Sequence, residues 1–310
     1  RTSGKTNTVA KRYKSLPDNL PAGGEIRDSL EDGLGDRPVS VGMAVTAEIV
    51  AQKMELSREV TDRVAYQSFK RMTDAHKEGR YKPYVISVPR KDDDPLEIDE
   101  AVELRKGLVE NPERMGRAQL LFENAAMKFD DFKAKYGQYL DKTHGPTVSI
   151  FNSSARSDGA AGFLMMKRET AEKLGLPIAG ILRAWKMIGV APELMGLGQS
   201  RSALDLFKEL DMKPEDLDYI EIHEAFAATA SGALEEIKQE TGFDWESRFD
   251  AGKINPNGSS IAAGHPFGAT GARLLINAVM DLAADKDAKT VLVTCCAGDG
   301  VAGTMLVERA

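Results

Sequence analysis

The chain has 310 residues, of which 42% are hydrophobic, and a formal net charge of −7 at pH 7. This length allows about two domains, and the hydrophobic fraction is enough for a packed core. The negative charge argues against a nucleic-acid surface, and no apolar run reaches the roughly 18 residues of a membrane-spanning helix. The two cysteines are adjacent, which argues against a disulfide scaffold and for a reducing compartment.

The first part of the chain predicts loop and then helices. Residues 1–40 are rich in Lys, Gly, Pro and Asp and supply no strand–helix–strand core. Helices are predicted at 42–53 and 58–78, with Ser57 as the cap of the second. The charged stretch 103–142 is also predicted to be mainly helical.

Beyond residue 147, strands and helices alternate, a pattern typical of an α/β layer fold. Strands are predicted there at 147–151, 160–166, 178–187, 219–223, 291–294 and 304–308. One short strand is predicted earlier in the chain, at 85–88. From residue 177 onward we expect one five-stranded mixed sheet with helices on both faces, in which 291–294 and 304–308 are neighbours.

The most informative segment is residues 255–273, in which small residues and a Pro surround one imidazole, His265. A regular apolar helix pattern follows at once, so the loop places His265 near a helix N-terminus. A His at that position is suited to act as a general base or an oxyanion donor. The alternative interpretation is a helix-start loop with a capping His.

Two further segments carry chemistry-bearing residues at the ends of predicted strands. In residues 219–228 a strand ends at the pair His223-Glu224, which opens a helix. In residues 290–307 a buried-type strand ends at a Gly-rich turn that carries a thiol and leads into a second apolar strand.

Together, the Gly-His-Pro loop, the Glu-Ala-Phe box and the Cys-x-Gly turn resemble the C-terminal half of a thiolase. His223 stands where most thiolases carry Asn, and His there is similar to the branch found in trifunctional-enzyme β subunits. The resemblance extends over about residues 33–90 and 145–310. It implies a thiolase-like fold in which 1–146 form a mostly helical loop (cap) domain over the coenzyme A site, 147–176 end the N-terminal domain, and 177–310 form the C-terminal domain.

The resemblance also implies roles for individual residues. Cys296 would be the acid/base, and the Gly298 N–H would form part of an oxyanion hole. His265 would activate the nucleophilic thiol and contribute to a second oxyanion hole, in which His223 would hold a water or donate directly. Alternation along the strand places Cys295 on the opposite side, where a structural role is expected.

Two more residues are matched to the coenzyme A site. Ser154 corresponds to a family serine that contacts pantetheine. Met43 either lines the pantetheine tunnel or is an ordinary core methionine. The separated His and Cys residues lack ligand spacing for zinc, so we predict no metal and no cofactor beyond coenzyme A thioesters as substrates.

The chain departs from the family in its cysteines. Family members place a nucleophilic Cys well before the loop domain, whereas both cysteines here, Cys295 and Cys296, lie near the end. The first third of a thiolase is therefore expected to be absent, and three interpretations stand. The chain is a thiolase without its nucleophile segment, a non-catalytic acyl-CoA- or lipid-binding protein, or a subunit that completes its site with another chain.

The implied activity is thiolytic cleavage of 3-ketoacyl-CoA to acyl-CoA and acetyl-CoA, or the reverse Claisen condensation, in fatty-acid metabolism. The implied partners are acyl-CoA and coenzyme A, a second copy of the chain in a homo-oligomer, and a hydratase–dehydrogenase subunit, with no nucleic acid. The expected location is cytoplasmic, or mitochondrial in a eukaryote. Retention of His223, His265 and Cys296 together favours an enzyme, because a binder needs none of that chemistry.

Overall fold

A computed structural model describes residues 35–36, 41–91, 93–123, 127–140 and 145–310, so most of the loop expected at 1–40 lies outside the described residues. The strands are β1 (Gly35–Asp36), β2 (Val41–Gly42), β3 (Ile181–Gly189), β4 (Tyr219–Ile222), β5 (Thr290–Ala297) and β6 (Val301–Glu308). The α-helices are α1 (Met43–Lys53), α2 (Arg58–Lys77), α3 (Glu100–Glu110), α4 (Phe129–Tyr136), α5 (Arg168–Lys173), α6 (Gly198–Leu210), α7 (Ala227–Thr241), α8 (Trp245–Asp250), α9 (Ser260–Ala263) and α10 (Thr270–Ala284). Short 3-10 turns include Pro192–Leu197 and Gly298–Gly300.

The main sheet has the strand order β3-β6-β5-β4. Strands β4 and β5 are parallel, whereas β6 is antiparallel to both of its neighbours, so the sheet is mixed as predicted. Thr294 pairs with Thr304, which confirms that the last two predicted strands are neighbours. Because β4 and β5 are parallel, their carboxyl ends meet at one edge of the sheet, where the predicted site residues follow them.

The prediction of a five-stranded sheet from residue 177 onward was wrong, because the described residues there form a four-stranded sheet. A fifth segment pairs beside β4 only at one bridge, between Ile220 and Ile254. There the Ile220 N–H donates to the Lys253 carbonyl at 2.9 Å, and the Asn255 N–H donates to the Ile220 carbonyl at 2.9 Å. The backbone then turns to a left-handed conformation at Asn255 (φ 46°) and continues into Pro256, which has no N–H to extend the ladder.

Helices cover both faces of the sheet, as predicted. On one face, α6 packs Leu206 against Leu292 and Leu306. On the other, α10 packs Leu274 and its neighbours against alternate residues of the same strands: Val291, Val293 and Val307. The alternation of side chains along β5 and β6 therefore divides the core into two layers.

Two glycines where the chain enters α6 allow close packing against neighbouring segments. A Cβ on Gly198 would lie 2.5 Å from the Ala302 Cβ, and a Cβ on Gly196 would lie 2.7 Å from Thr229 Cγ2. Real Cβ atoms do not approach other atoms this closely. Both positions therefore require glycine where the chain enters α6.

The N-terminal helices begin near their predicted positions, and Ser57 Oγ accepts the Val60 N–H at 3.2 Å as the predicted cap of α2. Residues Val64 and Phe69 of α2 belong to the same hydrophobic core as Leu206 and Ile222. The described part of 35–146 thus packs into the core of the C-terminal half. The domain boundaries at 146 and 176 stay predictions.

The strands predicted at 85–88, 147–151 and 160–166 do not form as such. The first two are reduced to single bridges, Val88–Leu96 and Leu120–Ser149. Residues 160–166 form no strand, and Leu164 is 85% exposed. An apolar run becomes a buried strand only beside another strand or a covering layer. Around residues 160–166, the described residues provide neither. Within the described chain, no helix is both long and apolar enough to cross a membrane.

Candidate active site

The segment that follows β4 carries His223 and is tied into the neighbouring loop by Glu224. The His223 N–H donates to the Thr294 carbonyl of β5 at 2.9 Å, which continues the parallel pairing. The buried Glu224 carboxylate accepts from Ser68 Oγ at 2.6 Å and from Asn255 Nδ2 at 2.7 Å. This carboxylate therefore joins the His223 segment to α2 and to the start of the loop that carries His265.

The His265 loop is held against the residues that follow Asn152. The His265 N–H donates to the Ala155 carbonyl at 2.9 Å. Its ring Nδ1 lies 2.7 Å from Thr270 Oγ1, at the start of α10. His265 thus lies near a helix N-terminus, as the sequence pattern indicated, and the first residue of the helix fixes the imidazole.

The two imidazoles lie next to each other, with ring centroids 4.4 Å apart. His223 is fully buried; its Nδ1 lies 2.8 Å from Ser260 Oγ, and its Nε2 has no hydrogen-bond partner among the described residues. Burial, followed by His265 and Arg273, lowers the pKa of His223 well below its usual value. Burial, followed by the charge of Arg273, lowers the pKa of His265 to about 4. Both rings are therefore neutral at pH 7.

Cys296 lies near the carboxyl end of β5, in a buried cluster with Met195 and Ala225 against which Met43 packs. Ala225 is two residues beyond His223, so this cluster adjoins the imidazole pair. Burial is the main cause that raises the pKa of the Cys296 thiol far above its usual value. At pH 7 the Cys296 thiol is therefore protonated and does not rest as a thiolate. Cys295 packs on the opposite face with the α10 layer, as predicted.

The turn after Cys296 contains backbone conformations with positive φ, which few residue types other than glycine adopt readily. Asp299 and Gly300 have φ of 62° and 75°, and a Cβ on Gly300 would collide with the Val190 carbonyl. Gly298 begins this turn, and a Cβ there would lie 3.9 Å from Met43 Sδ. The turn therefore places Gly298 beside Met43 at the same end of the sheet as Cys296.

The two residues matched to the coenzyme A site lie in the same region. The Ser154 N–H donates to the Ala225 carbonyl at 3.0 Å, and the residue is partly exposed. Met43 is the first residue of α1 and is also partly exposed. Both are accessible from outside the core, and their contact with pantetheine stays a prediction. In the described ranges, no group of three or more His, Cys, Asp or Glu residues could hold a metal ion.

Sequence reasoning missed the polar residues that hold the predicted ones. Ser260 and Thr270 contact the two imidazoles, and Glu224 with Asn255 joins their loops. All four lie in the quoted motifs, so their positions were a usable signal. The Ser260–His223 and Asn255–Glu224 contacts were not predictable, because hydrogen bonds between segments over 30 residues apart leave no periodic trace in a sequence.

Comparison with known proteins agrees with this geometry. The sequence matches the family models described as "Thiolase, N-terminal domain" over residues 10–124 and "Thiolase, C-terminal domain" over residues 176–309. An acetyl-CoA acetyltransferase of Thiocystis violacea is 35% identical over 280 residues, covering 90% of this chain and 63% of that protein. The peroxisomal 3-ketoacyl-CoA thiolase 1 of Arabidopsis thaliana is 32% identical over 271 residues, covering 86% of this chain and 55% of that protein.

The fold is also shared with a solved structure. The crystal structure of the Bacillus anthracis acetyl-CoA acetyltransferase superposes with a TM-score of 0.76 at 25% identity, covering 94% of this chain and 66% of that one. With both domain models matched, the chain belongs to the thiolase family. It spans less than two thirds of the length of these curated relatives.

Proposed function

We propose that this chain carries the acid/base and oxyanion-stabilising half of a thiolase active site. The reaction is thiolytic cleavage of 3-ketoacyl-CoA to acyl-CoA and acetyl-CoA, or the reverse Claisen condensation. The observation that carries the proposal is the pair of neutral imidazoles, 4.4 Å apart, beside the strand end that bears Cys296. Family membership supports the substrate class, acyl-CoA thioesters.

The two imidazoles are suited to two roles that thioester chemistry requires, oxyanion stabilisation and general-base catalysis. A thioester oxygen that gains negative charge needs preorganised donors, and the buried, unpartnered Nε2 of His223 is placed for that role. A thiol that attacks a thioester needs a base, and neutral His265 can accept its proton. The Gly298 N–H is assigned to the other oxyanion site, the one without the two imidazoles, beside Met43.

Cys296 is assigned the proton transfer at the α-carbon. In the cleavage direction, its protonated thiol donates to the enolate of acetyl-CoA as the carbon–carbon bond breaks. In the condensation direction, the thiolate removes a proton from the same carbon. Because burial raises the pKa of Cys296, the resting enzyme holds the proton ready for the cleavage direction.

The acyl-carrying thiol is a separate requirement. Of the two cysteines in the sequence, Cys296 carries the proton transfer and Cys295 lies on the opposite face of β5. The proposal therefore assigns the acyl-carrying thiol to protein outside this sequence. Ser154 and Met43 are proposed to contact pantetheine. A homo-oligomer, a hydratase–dehydrogenase partner and a cytoplasmic or mitochondrial location stay predictions.

Exchange of the methyl protons of acetyl-CoA in D2O tests the proposal without the acyl-carrying thiol, because only the α-proton transfer is required. We expect this chain to catalyse exchange, followed by proton NMR. Cys296→Ala should lower the rate by about 100-fold or more, the usual contribution of a positioned acid/base group. The rate should rise with pH, since only the thiolate removes the proton and the pKa of Cys296 is raised.

Cys295→Ala is the matched control, because it removes the adjacent thiol from the opposite face of β5. It should leave exchange within about twofold of wild type. Exchange that survives in Cys296→Ala would contradict the assignment of the base. Coenzyme A binding by calorimetry with no exchange at any pH would instead support the non-catalytic binding protein.

A further inference from the structure

One guanidinium, that of Arg273 in α10, reaches the surroundings of both imidazoles. Its Nη1 donates to the carbonyl of Gly264, the residue before His265, at 3.0 Å. Its Nη2 donates to Ser260 Oγ at 2.9 Å, and Ser260 Oγ in turn lies 2.8 Å from His223 Nδ1. Arg273 thus braces the His265 loop and the residue that supports His223.

The direction of these hydrogen bonds determines where the proton of His223 lies. A guanidinium can only donate, so Ser260 Oγ accepts from Arg273. Among the described residues, His223 Nδ1 is the only hydrogen-bond acceptor within reach of the Ser260 hydroxyl, so the hydroxyl hydrogen is directed there. His223 Nδ1 is then an acceptor, and the ring proton is on Nε2.

The same reasoning gives the opposite result for His265. Thr270 Oγ1 lies 3.1 Å from the Pro266 carbonyl and 2.7 Å from His265 Nδ1. A carbonyl can only accept, so the Thr270 hydrogen is directed to Pro266. The hydroxyl oxygen is then left to accept from His265 Nδ1, which carries the ring proton, and His265 Nε2 has a free lone pair.

We infer that Arg273, Ser260 and Thr270 are positioning residues that hold the two adjacent imidazoles in opposite tautomers. His223 presents an N–H, and His265 presents a lone pair. The catalytic meaning of this arrangement rests on the proposed function: His223 can only donate to a thioester oxygen, and His265 can only accept a thiol proton. Two histidines with rings 4.4 Å apart are thereby prevented from exchanging roles.

The charge of Arg273 contributes in a second way. Burial is the main cause that lowers the pKa of both imidazoles, and the charge of Arg273 adds to it, so neither ring is protonated at pH 7. The charged and titratable groups that act on Arg273 itself are Tyr81, Glu221, Glu224 and Asp99.

The test is long-range proton–nitrogen NMR of the chain labelled with 15N-histidine, which distinguishes the two neutral tautomers directly. The signals are assigned with His223→Gln and His265→Gln. At pH 7, we expect the wild-type chain to show the Nε2–H pattern for His223 and the Nδ1–H pattern for His265. The same tautomer at both rings would overturn the inference, whatever the variants do.

Two pairs of variants separate positioning from general structure. Ser260→Ala should move the His223 nitrogen signals toward the average of both tautomers and leave those of His265 unchanged, whereas Ser260→Thr should retain the wild-type pattern. Thr270→Val should have the converse effect, with Thr270→Ser as its control. Thermal unfolding shows that each variant is folded, and His223 and His265 signals that do not move in folded Ser260→Ala and Thr270→Val would contradict the inference.

The tautomer measurement and the test of the proposed function can fail independently of each other. Opposite tautomers without acetyl-CoA exchange would leave this inference standing and count against the enzyme. Exchange with equal tautomers would leave the enzyme standing and reject the positioning roles.

Discussion

The two faces of the four-stranded sheet differ in the groups that they bury. On the α6 face, aliphatic side chains dominate, the buried polar groups are neutral, and the hydroxyls among them pair with one another. Ser202 Oγ lies 2.6 Å from Thr304 Oγ1, which donates to Thr294 Oγ1 at 2.9 Å. Neutral, mutually satisfied groups of this kind can be buried at little cost.

The α10 face buries ionisable groups instead. Glu221 of β4 is fully buried, and neither of its carboxylate oxygens has a hydrogen-bond partner among the described residues. Burial raises its pKa well above the usual value, and the nearby Asp281 of α10 adds to the effect. On β3, beyond the reach of α10, Trp185 is 62% exposed. We therefore expect the α6 face to contribute most of the stability and the α10 face to make stability depend on pH.

Removing apolar volume from the α6 face should have the largest effect. Leu206 is 1% exposed and packs against both β5 and β6. We expect Leu206→Ala to lower the free energy of unfolding by about 3 kcal/mol, through lost burial and the cavity left behind. Urea denaturation measures this, and a loss below about 1 kcal/mol would contradict the assignment of stability to this face.

Protonation of His265, in the loop before α10, should destabilise the fold at acidic pH. Its pKa is about 4 in the folded chain, against about 6.5 unfolded. The unfolded state binds more protons between these values, so this contribution is complete above pH 6.5 and is lost as the pH falls to 4. The stability difference between wild type and His265→Gln should shift by about 3 kcal/mol across that window. A pH-independent difference would show that the ring is not held neutral.

Asp281 should act with the opposite sign in the same window. Burial raises its pKa from 3.8 to about 7, while Asn257 donates to its Oδ1 at 2.6 Å. The folded state holds the proton longer than the unfolded state does, so stability falls as the pH rises from about 4 to 7. Asp281→Asn should remove this loss and stabilise the chain at pH 7 by about 2 kcal/mol. If wild type and Asp281→Asn have equal stability at pH 7, measured by urea denaturation, Asp281 lies in a better-solvated environment.

The smallest effect is expected at the open end of the α10 face. Trp185→Ala should change the free energy of unfolding by less than about 0.5 kcal/mol, because its side chain is mostly exposed. Urea denaturation under the conditions used for Leu206→Ala gives the direct comparison. A loss as large as that of Leu206→Ala would mean that a partner surface covers Trp185 in solution.

The alternation of side chains along the sequence predicted the strands of the main sheet correctly where helices cover both faces of the sheet. Strands at 219–223, 291–294 and 304–308 were recognised because their side chains alternate between two apolar layers. Residues 160–166 are equally apolar and form no strand. The difference lies in the presence of a neighbouring strand, which is a long-range property and is absent from a local pattern.

The candidate site was predictable in its residue types and less so in its electrostatics. The motifs indicated that His223, His265 and Cys296 follow strands whose ends meet, and the imidazoles do lie together. The protonated state of Cys296 was not predictable, since it depends on burial by Met195 and Ala225 from other segments. Roles in catalysis stay predictions until exchange is measured.

Gly264, the residue before His265, limits how this loop can diverge. Its φ is +81°, and a Cβ there would lie 2.6 Å from the Ser157 Cβ. Conformation and space therefore exclude a side chain independently. In a saturation library we expect only glycine at this position, and Ser157→Gly should fail to rescue Gly264→Ala because it frees space without relieving the dihedral strain. The loop that carries His265 is therefore expected to keep glycine at this position in evolution, whatever changes occur in the neighbouring segment 154–157.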